Sequence, residues 1–462
     1  MKNYKTGFLL GISVVSAMGG LLFGYDWVVI GGAKPFYERF FEISNSPALQ
    51  GWAMSSALIG CMAGAIIAGS LSDRFGRKRL LILSGAVFIV SALGTGAAGS
   101  MTIFILYRLL GGIAIGLAST LSPMYIAEIA PEQVRGKFVS INQLTIVIGI
   151  LAAQVANLLI AREVPTGATD LDILNSWNGQ QGWRWMFWAE IIPASLFFLL
   201  MFLIPESPRW LAKRGYNEKA ESVLLKIGNK SFATKALTDI QESLQSDSRK
   251  VDFKALFAPG MKKILLIGIV LAVFQQWCGI NVIFNYAEEI FSAAGYAVDD
   301  IMFNIVITGS VNLVFCLIAL YTVDKLGRRP LLLLGAGSLA VIYAVMGTMF
   351  FFEVKGLPLL ILVVTAIAAY SMTLAPVVWV VLSEIFPNRI RGAAMAIGTL
   401  ALWSACFILT YTFPLLNSGL GASGTFWLYG VICVLGFLFI LKKLPETRKK
   451  TLEQIEKELL KS

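Results

Sequence analysis

Apolar residues run along this chain in long unbroken stretches, and polar residues gather in short clusters between them. A helix needs about 20 apolar residues to cross ~30 Å of hydrocarbon. Twelve such stretches occur, at roughly 8–31, 50–71, 80–99, 102–124, 139–161, 183–204, 262–285, 302–322, 331–352, 358–382, 393–416 and 424–442. The alternating pattern of a membrane β-barrel is absent from the sequence. The pattern predicts an all-α membrane protein with twelve transmembrane helices. The first stretch follows Lys2 and Lys5, as a cleaved leader would. Its length, its internal Asp26 and the eleven stretches behind it make it a retained helix instead.

The polar clusters repeat. "DRFGRKR" at 73–79 joins stretches two and three, and "DKLGRRP" at 324–330 joins eight and nine. "EIAPEQVRG" at 128–136 follows stretch four, and "EIFPNRIRG" at 384–392 follows stretch ten. "PESPR" at 205–209 and "PETR" at 445–448 close each half. The expected organisation is a six-helix bundle at 1–204, a cytoplasmic helical insert at 205–260, a second bundle at 261–445 and a tail at 446–462. In the insert, "NEKAESVLLKIG" reads as a short helix capped at Asn217 and ended by Gly228, and "TKALTDIQESLQ" reads similarly. The loop motifs either mark topology alone or form a cytoplasmic latch between the halves. Its members would be Asp73, Arg74, Arg77, Glu128, Arg135, Glu206 and Arg209 in the first half. Asp324, Arg328, Glu384, Arg391 and Glu446 would complete it in the second.

Composition sharpens the picture. The chain is 57% hydrophobic and 14% charged, too little charge to cover a soluble protein of 462 residues. With a cytoplasmic N-terminus, all Lys and Arg except Lys34, Arg39, Arg108, Arg162, Arg184 and Lys355 fall on the inner side. Both termini are therefore expected inside. The net charge of +10 follows from this bias and from anionic lipid at the inner surface, so no nucleic-acid partner is implied. The five cysteines (61, 278, 316, 406, 433) sit in apolar stretches without ligand spacing and read as packing residues. With no histidine, imidazole metal sites are excluded, and so is the usual side chain that titrates near neutrality. No G-x-x-x-x-G-K-[ST] phosphate loop occurs, so energy would come from an ion gradient. No cofactor or metal is expected.

Polar residues inside the apolar stretches carry the chemistry. In "LLFGYDWVVI", Asp26 lies about six residues from the expected end of its span near Gly32. Arg108 is a similar distance into span four and Glu190 into span six. At ~1.5 Å per residue the three share one depth. Intramembrane ionisable groups usually pair and mark pathways. One base cannot compensate two acids, so a carboxylate that binds a proton in one conformation and releases it in another is one reading. A static ion pair is the other. Span seven offers Gln275, Gln276 and, beyond Gly279, Asn281. Amides donate and accept, which suits sugar hydroxyls, and a break near Gly279 would turn all three toward one cavity. Interhelical hydrogen bonding is the alternative use. Glycines at 60, 64, 69, 112 and 116 fit close helix approach.

The combination of "DRFGRK", "YRLLGGIAIG", "PMYIAEIAP", "NQL", "PESPRWL", "QQWCGIN", "DKLGRR", "SEIFP" and "PETRKKTLEQIE" resembles the sugar porter family of the major facilitator superfamily over essentially the whole chain. Within it, the chain looks similar to bacterial xylose–proton symporters and animal glucose facilitators. The resemblance implies two pseudo-symmetric six-helix bundles about an axis along the membrane normal, working by alternating access as a monomer. It implies substrate contacts at Gln143, Gln275, Gln276, Asn281, Asn312, Trp379 and Trp403. It also implies that the aspartate of "FGYD" couples protons, since passive facilitators have asparagine there. Ile150, Leu402 and Asn285 depart from family polar or tyrosine positions, which leaves the sugar open. Lys449 departs from the usual glycine.

The expectation is a proton-coupled monosaccharide symporter, xylose- or glucose-like, in a bacterial inner membrane. A sugar or polyol uniporter is the alternative. A transporter-like receptor would need a signalling tail longer than 446–462. An enzyme is disfavoured because no nucleophile–base or metal constellation appears.

Overall fold

The computed structural model describes residues 4–165, 168–246, 260–386, 391–448, 450, 454 and 459. Among them the chain is helical throughout, and β-pairing is confined to one isolated bridge between Tyr4 and Gly228. In the first half, α1 spans Thr6–Phe40, α2 Pro47–Phe75, α3 Arg77–Ala97, α4 Met101–Ile129 and α5 Arg135–Ile160. A short α6, Asp170–Asn175, and a π-turn at Asn178–Gly182 lead into α7, Trp183–Trp188, and α8, Ile191–Leu200. Three polar helices follow: α9 Pro208–Lys213, α10 Asn217–Ile227 and α11 Lys230–Ser246. The second half holds α12 Met261–Trp277, α13 Ile280–Asn285, α14 Ala287–Ala293, α15 Val298–Leu326 and α16 Arg328–Phe351. It ends with α17 Leu357–Met372, α18 Leu374–Ile385 and α19 Arg391–Lys443.

Ten helical stretches among the described residues are long and apolar enough to cross a membrane. The sixth apolar run is delivered as the pair α7–α8, and α19 holds two runs that turn at Gly421, where φ is 66°. Prolines explain the interruptions. A proline ring collides with the carbonyl four residues before it. Pro193 thus breaks the helix at Ala189–Glu190, and Pro376 breaks it at Thr373. Two boundaries differ from the sequence reading. The helix at 217 is preceded by Tyr216 rather than capped by Asn217. More consequentially, α1 continues eight residues past Gly32, because Lys34 and Glu38, one turn apart, pair along the helix at 3.2 Å.

Packing groups the chain into two compact units. Unit 1 comprises 1–29, 59–153 and 184–250; unit 2 comprises 30–58, 154–183 and 251–462. In unit 1, Ser84 and Ser91 on α3 donate to the carbonyls of Ala114 and Tyr107 on α4, at 3.1 and 2.8 Å. A methyl group at Gly60 or Gly64 would strike the carbonyl of Leu109 or Ile113, so these glycines let α2 and α4 touch backbone to backbone. Gly69 faces open space and serves no such contact, contrary to expectation. In unit 2, α19 packs along α16 and α12, and α15 packs on α17. All five cysteines are buried as free thiols.

Candidate functional site

Unit 1 brings the intramembrane charges together. Arg108 donates to Asp26, and both side chains are 3% exposed. Glu190, at the break between α7 and α8, is equally buried and close enough to feel both charges. The guanidinium also lies over the Phe187 ring, 5.8 Å from its centroid. Gly111 lies beside the pair: a Cβ there would strike Ser91 Oγ and sit in ordinary contact with Asp26 Oδ2, 3.5 Å away. Asp26 Oδ2, Arg108 Nε and Glu190 Oε1 are buried without a hydrogen-bond partner. One cation therefore faces two carboxylates in a dry setting, and one negative charge is unmatched. A proton on either acid restores balance, which is the chemistry a proton carrier needs. Tyr25 Oη donates to the Met186 carbonyl at 3.5 Å and adds a hydroxyl near Glu190.

Unit 2 holds the amides. Gly279 adopts φ 85°, a left-handed conformation that ends α12 and restarts the chain as α13. The turn sets Asn281 back against α12, where its Nδ2 donates to Gln276 Oε1. Gln276 Nε2 in turn donates to Gln275 Oε1 at 3.4 Å. Gln275 Nε2 reaches the carbonyls of Leu374 and Ala375, at 3.4 and 3.2 Å, beside the break at Thr373. Asn312 on α15 accepts from Ser371 Oγ at 2.7 Å, just before that same break. Two interrupted helices are thus stitched together by amides. Irregular backbone at membrane depth is tolerated only where protein or an aqueous cavity satisfies it. Trp379 on α18 is 36% exposed, while Trp403 on α19 is buried. Gln143 lies half-buried on α5 in unit 1. The departing positions Ile150, Leu402 and Asn285 are all buried.

The loop motifs form two matching networks, one described in each unit. In unit 1, Arg77 Nη2 pairs with Glu128 Oε1 at 2.8 Å, and Ser207 Oγ donates to the other Glu128 oxygen. Lys213 pairs with Asp73 at 2.7 Å. In unit 2, Arg328 Nη2 pairs with Glu384 Oε1 at 3.1 Å, and Thr447 Oγ1 donates to Glu384 Oε2 at 2.5 Å. Arg74 lies over the Phe75 ring, Arg209 donates to Ser243 Oγ at 3.3 Å, and Arg135 is exposed. The side chains of Asp324 and Arg391 fall outside the described set.

The profile described as "Sugar (and other) transporter" matches residues 12–459. The chain belongs to this sugar transporter family. The transporter is 40% identical over 484 residues to the D-xylose-proton symporter of Escherichia coli (strain K12), covering 98% of this chain and 96% of that one. It is 37% identical over 457 residues to the arabinose-proton symporter of Bacillus subtilis (strain 168), covering 99% and 96%. Among solved structures, the inward-open xylose transporter XylE from E. coli superposes with a TM-score of 0.85 at 38% identity, over 97% of this chain and 99% of that one. XylE bound to 6-bromo-6-deoxy-D-glucose superposes at 0.80, also 38% identical, over 99% and 100%. The chain is thus a multi-pass membrane transporter of the major facilitator fold, and its relatives carry solutes rather than catalyse reactions.

The sequence reading of the transporter missed two sets of residues. Phe187 lies against Arg108 and Gly111 beside Asp26, but one is an ordinary aromatic and the other an ordinary glycine in sequence. Lys34 enters the sequence reading only as one of the few bases outside the inner side, and Glu38, Glu288 and Glu289 do not enter it as a site. They form a cluster in unit 2 in which Lys34 and Glu38 are buried and Glu288 and Glu289 half-buried, with Lys34 Nζ 2.5 Å from Glu289 and 3.7 Å from Glu288. The four-residue spacing of Lys34 and Glu38 was the available signal.

Proposed function

We propose that this transporter carries a xylose- or glucose-like monosaccharide together with a proton, by alternating access, across the cytoplasmic membrane of a bacterium. Both termini lie inside in this reading, as the basic-residue bias argues. The buried Asp26–Arg108 pair beside Glu190 carries the proposal. Its excess acid supplies a proton site on the same half-bundle. The names of the relatives, D-xylose-proton and arabinose-proton symporters, support both cargoes. Asp26 takes a proton when its pairing with Arg108 loosens, and returns it when the pair re-forms. Gln143, Gln275, Gln276, Asn281 and Asn312 meet sugar hydroxyls, and Trp379 and Trp403 cover a C–H face. The amides now bonded to one another are donors and acceptors that a sugar can recruit. The paired loop networks hold the cytoplasmic ends of each half as the halves rock. One molecule suffices for transport, with lipid as its surroundings.

The test is uptake of a panel of labelled sugars into proteoliposomes, with and without an imposed pH gradient. Accumulation of a pentose or hexose above equilibrium only with the gradient is the expected result. Identical equilibration in both conditions would leave a uniporter, with Asp26–Arg108 as a static pair.

A further inference from the structure

Under that orientation the C-terminal end of α1 faces the outside, and a second cluster of charge lies there. Lys34 Nζ is 2.5 Å from Glu289 Oε1, 3.2 Å from Glu38 Oε2 and 3.7 Å from Glu288 Oε2, all within unit 2. Side-chain exposure is 3% for Lys34, 7% for Glu38, 16% for Glu288 and 21% for Glu289. The groups around them come from four elements. On α1, Tyr37 lies between Lys34 and Glu38 in sequence, and Arg39 is near enough to act on Glu288. Ahead of α14, the Tyr286 ring lies 5.8 Å from Lys34 Nζ, and Tyr429 on α19 faces Tyr286. On α2, Gln50 Nε2 donates to Glu38 Oε2 at 3.3 Å. Arg39 is matched elsewhere, since its Nε lies 2.8 Å from Asp170.

One ammonium thus serves three carboxylates in a largely dry place. Buried charge without a partner is costly, and a group so placed usually neutralises. Glu38 Oε2 accepts from Lys34 and Gln50, but the other carboxyl oxygen has no such support. Glu38 is the most buried of the three, and its Oε1 is buried with no hydrogen-bond donor. Glu289 has the shortest contact to Lys34, and Glu288 and Glu289 are more accessible to water.

We propose that Glu38 holds a proton while this cluster is closed, making it a second proton-binding site distinct from Asp26. The proton leaves to external water when α1 and α14 part and the carboxyl is rehydrated. External acid therefore holds the cluster shut, and external base eases its opening. The inference rests on the alternating-access reading, but not on Asp26 being the coupling acid.

The experiment is sugar counterflow in proteoliposomes with equal pH on both sides, in an Asp26→Asn background. The expected rate rises several-fold from mildly acidic to mildly alkaline medium. Glu38→Gln flattens that profile, and Glu42→Gln, at an exposed neighbour, leaves it intact. A profile that Glu38→Gln merely scales by one factor at every pH would overturn the proposal. Should Asp26→Asn exchange no sugar at all, the reading of Asp26 fails separately. The same comparison is then made in the otherwise unchanged chain with the gradient collapsed by an ionophore. If Glu38→Gln does not fold, Glu288→Gln removes one excess charge and should narrow the profile likewise.

Discussion

The Glu206 carboxylate accepts the backbone N–H of Arg77 at 3.0 Å, closing the exposed start of α3 from a loop more than a hundred residues away. It also accepts from Lys78 N at 3.1 Å. Glu446 repeats the arrangement on α16, accepting from Arg328 N at 3.0 Å and Arg329 N at 3.1 Å. Gly76 and Gly327, with φ 91° and 93°, supply the turn that aims these N–H groups at the acid. Helix starts leave such donors unsatisfied, and a capping side chain contributes about 0.5–2 kcal/mol. Glu206→Ala and Glu446→Ala should each lower the melting temperature of detergent-solubilised protein by that order, and Gln should recover part of it.

Glu446 also predicts an acid limit. Burial alone would raise its carboxyl, but the N–H groups of Arg448, Arg328, Arg329 and Thr447 hold it below the ordinary value. A depressed folded pKa means that the stabilisation is fully present above the unfolded value, roughly 4.3 for Glu, and is lost as pH falls through the folded pKa. The stability advantage of the native chain over Glu446→Gln should persist at neutral pH and vanish in acid. A difference that is constant through the acid range would refute it.

Removing one member of the Asp26–Arg108 pair strands the other. Breaking a buried pair from one side costs about 3–5 kcal/mol. Arg108→Ala should therefore be poorly stable, because it leaves Asp26 and Glu190 with no cation. Asp26→Asn should be milder, since Glu190 can then use Arg108. In transport, Asp26→Asn should abolish uphill accumulation while counterflow survives. Uphill transport undiminished in that variant would rule Asp26 out as the coupling acid.

For the amide cluster, each hydrogen bond to a neutral hydroxyl is worth about 0.5–1.5 kcal/mol, or roughly 2- to 13-fold in affinity. Gln276→Ala and Asn281→Ala should weaken sugar binding by that order, measured by titration calorimetry, with little change in melting temperature. A loss of stability with unchanged affinity would assign these amides to helix packing.

Gly279→Ala tests the break itself. The residue sits at φ 85°, and an added Cβ would lie 2.9 Å from the Tyr429 ring. Strain at such a position costs about 1–3 kcal/mol. The variant should fold less stably and bind sugar more weakly, because α13 could no longer carry Asn281 back to Gln276.

The loop networks offer a state-dependent prediction. Arg77–Glu128 and Arg328–Glu384 are 8–24% exposed, so both pairs are partly shielded from water, and joint neutralisation is the stronger test. Glu128→Gln with Glu384→Gln should shift the ratio of inward- to outward-facing molecules, read by accessibility of engineered cysteines. An unchanged ratio would reduce these motifs to topology.

The sequence by itself determined the membrane-spanning class, the duplicated halves and the candidate residues, because hydrophobic run length, repeated loop motifs and lone charges in apolar segments are local properties of the chain. Even the interruption near Gly279 was legible, since glycine acts on its own backbone. Tertiary structure decided what those residues touch. Phe187 under Arg108, Gly111 beside Asp26, and Glu206 on Arg77 are long-range meetings with no periodic signature. The end of α1 shows the limit most clearly. Hydropathy falls after Gly32 and predicts the end of the span there, yet Lys34 and Glu38 remain helical and buried, with Glu288 and Glu289 from the other half of the sequence sharing the lysine. Burial of a charge depends on its partners, and only folding brings those partners within reach.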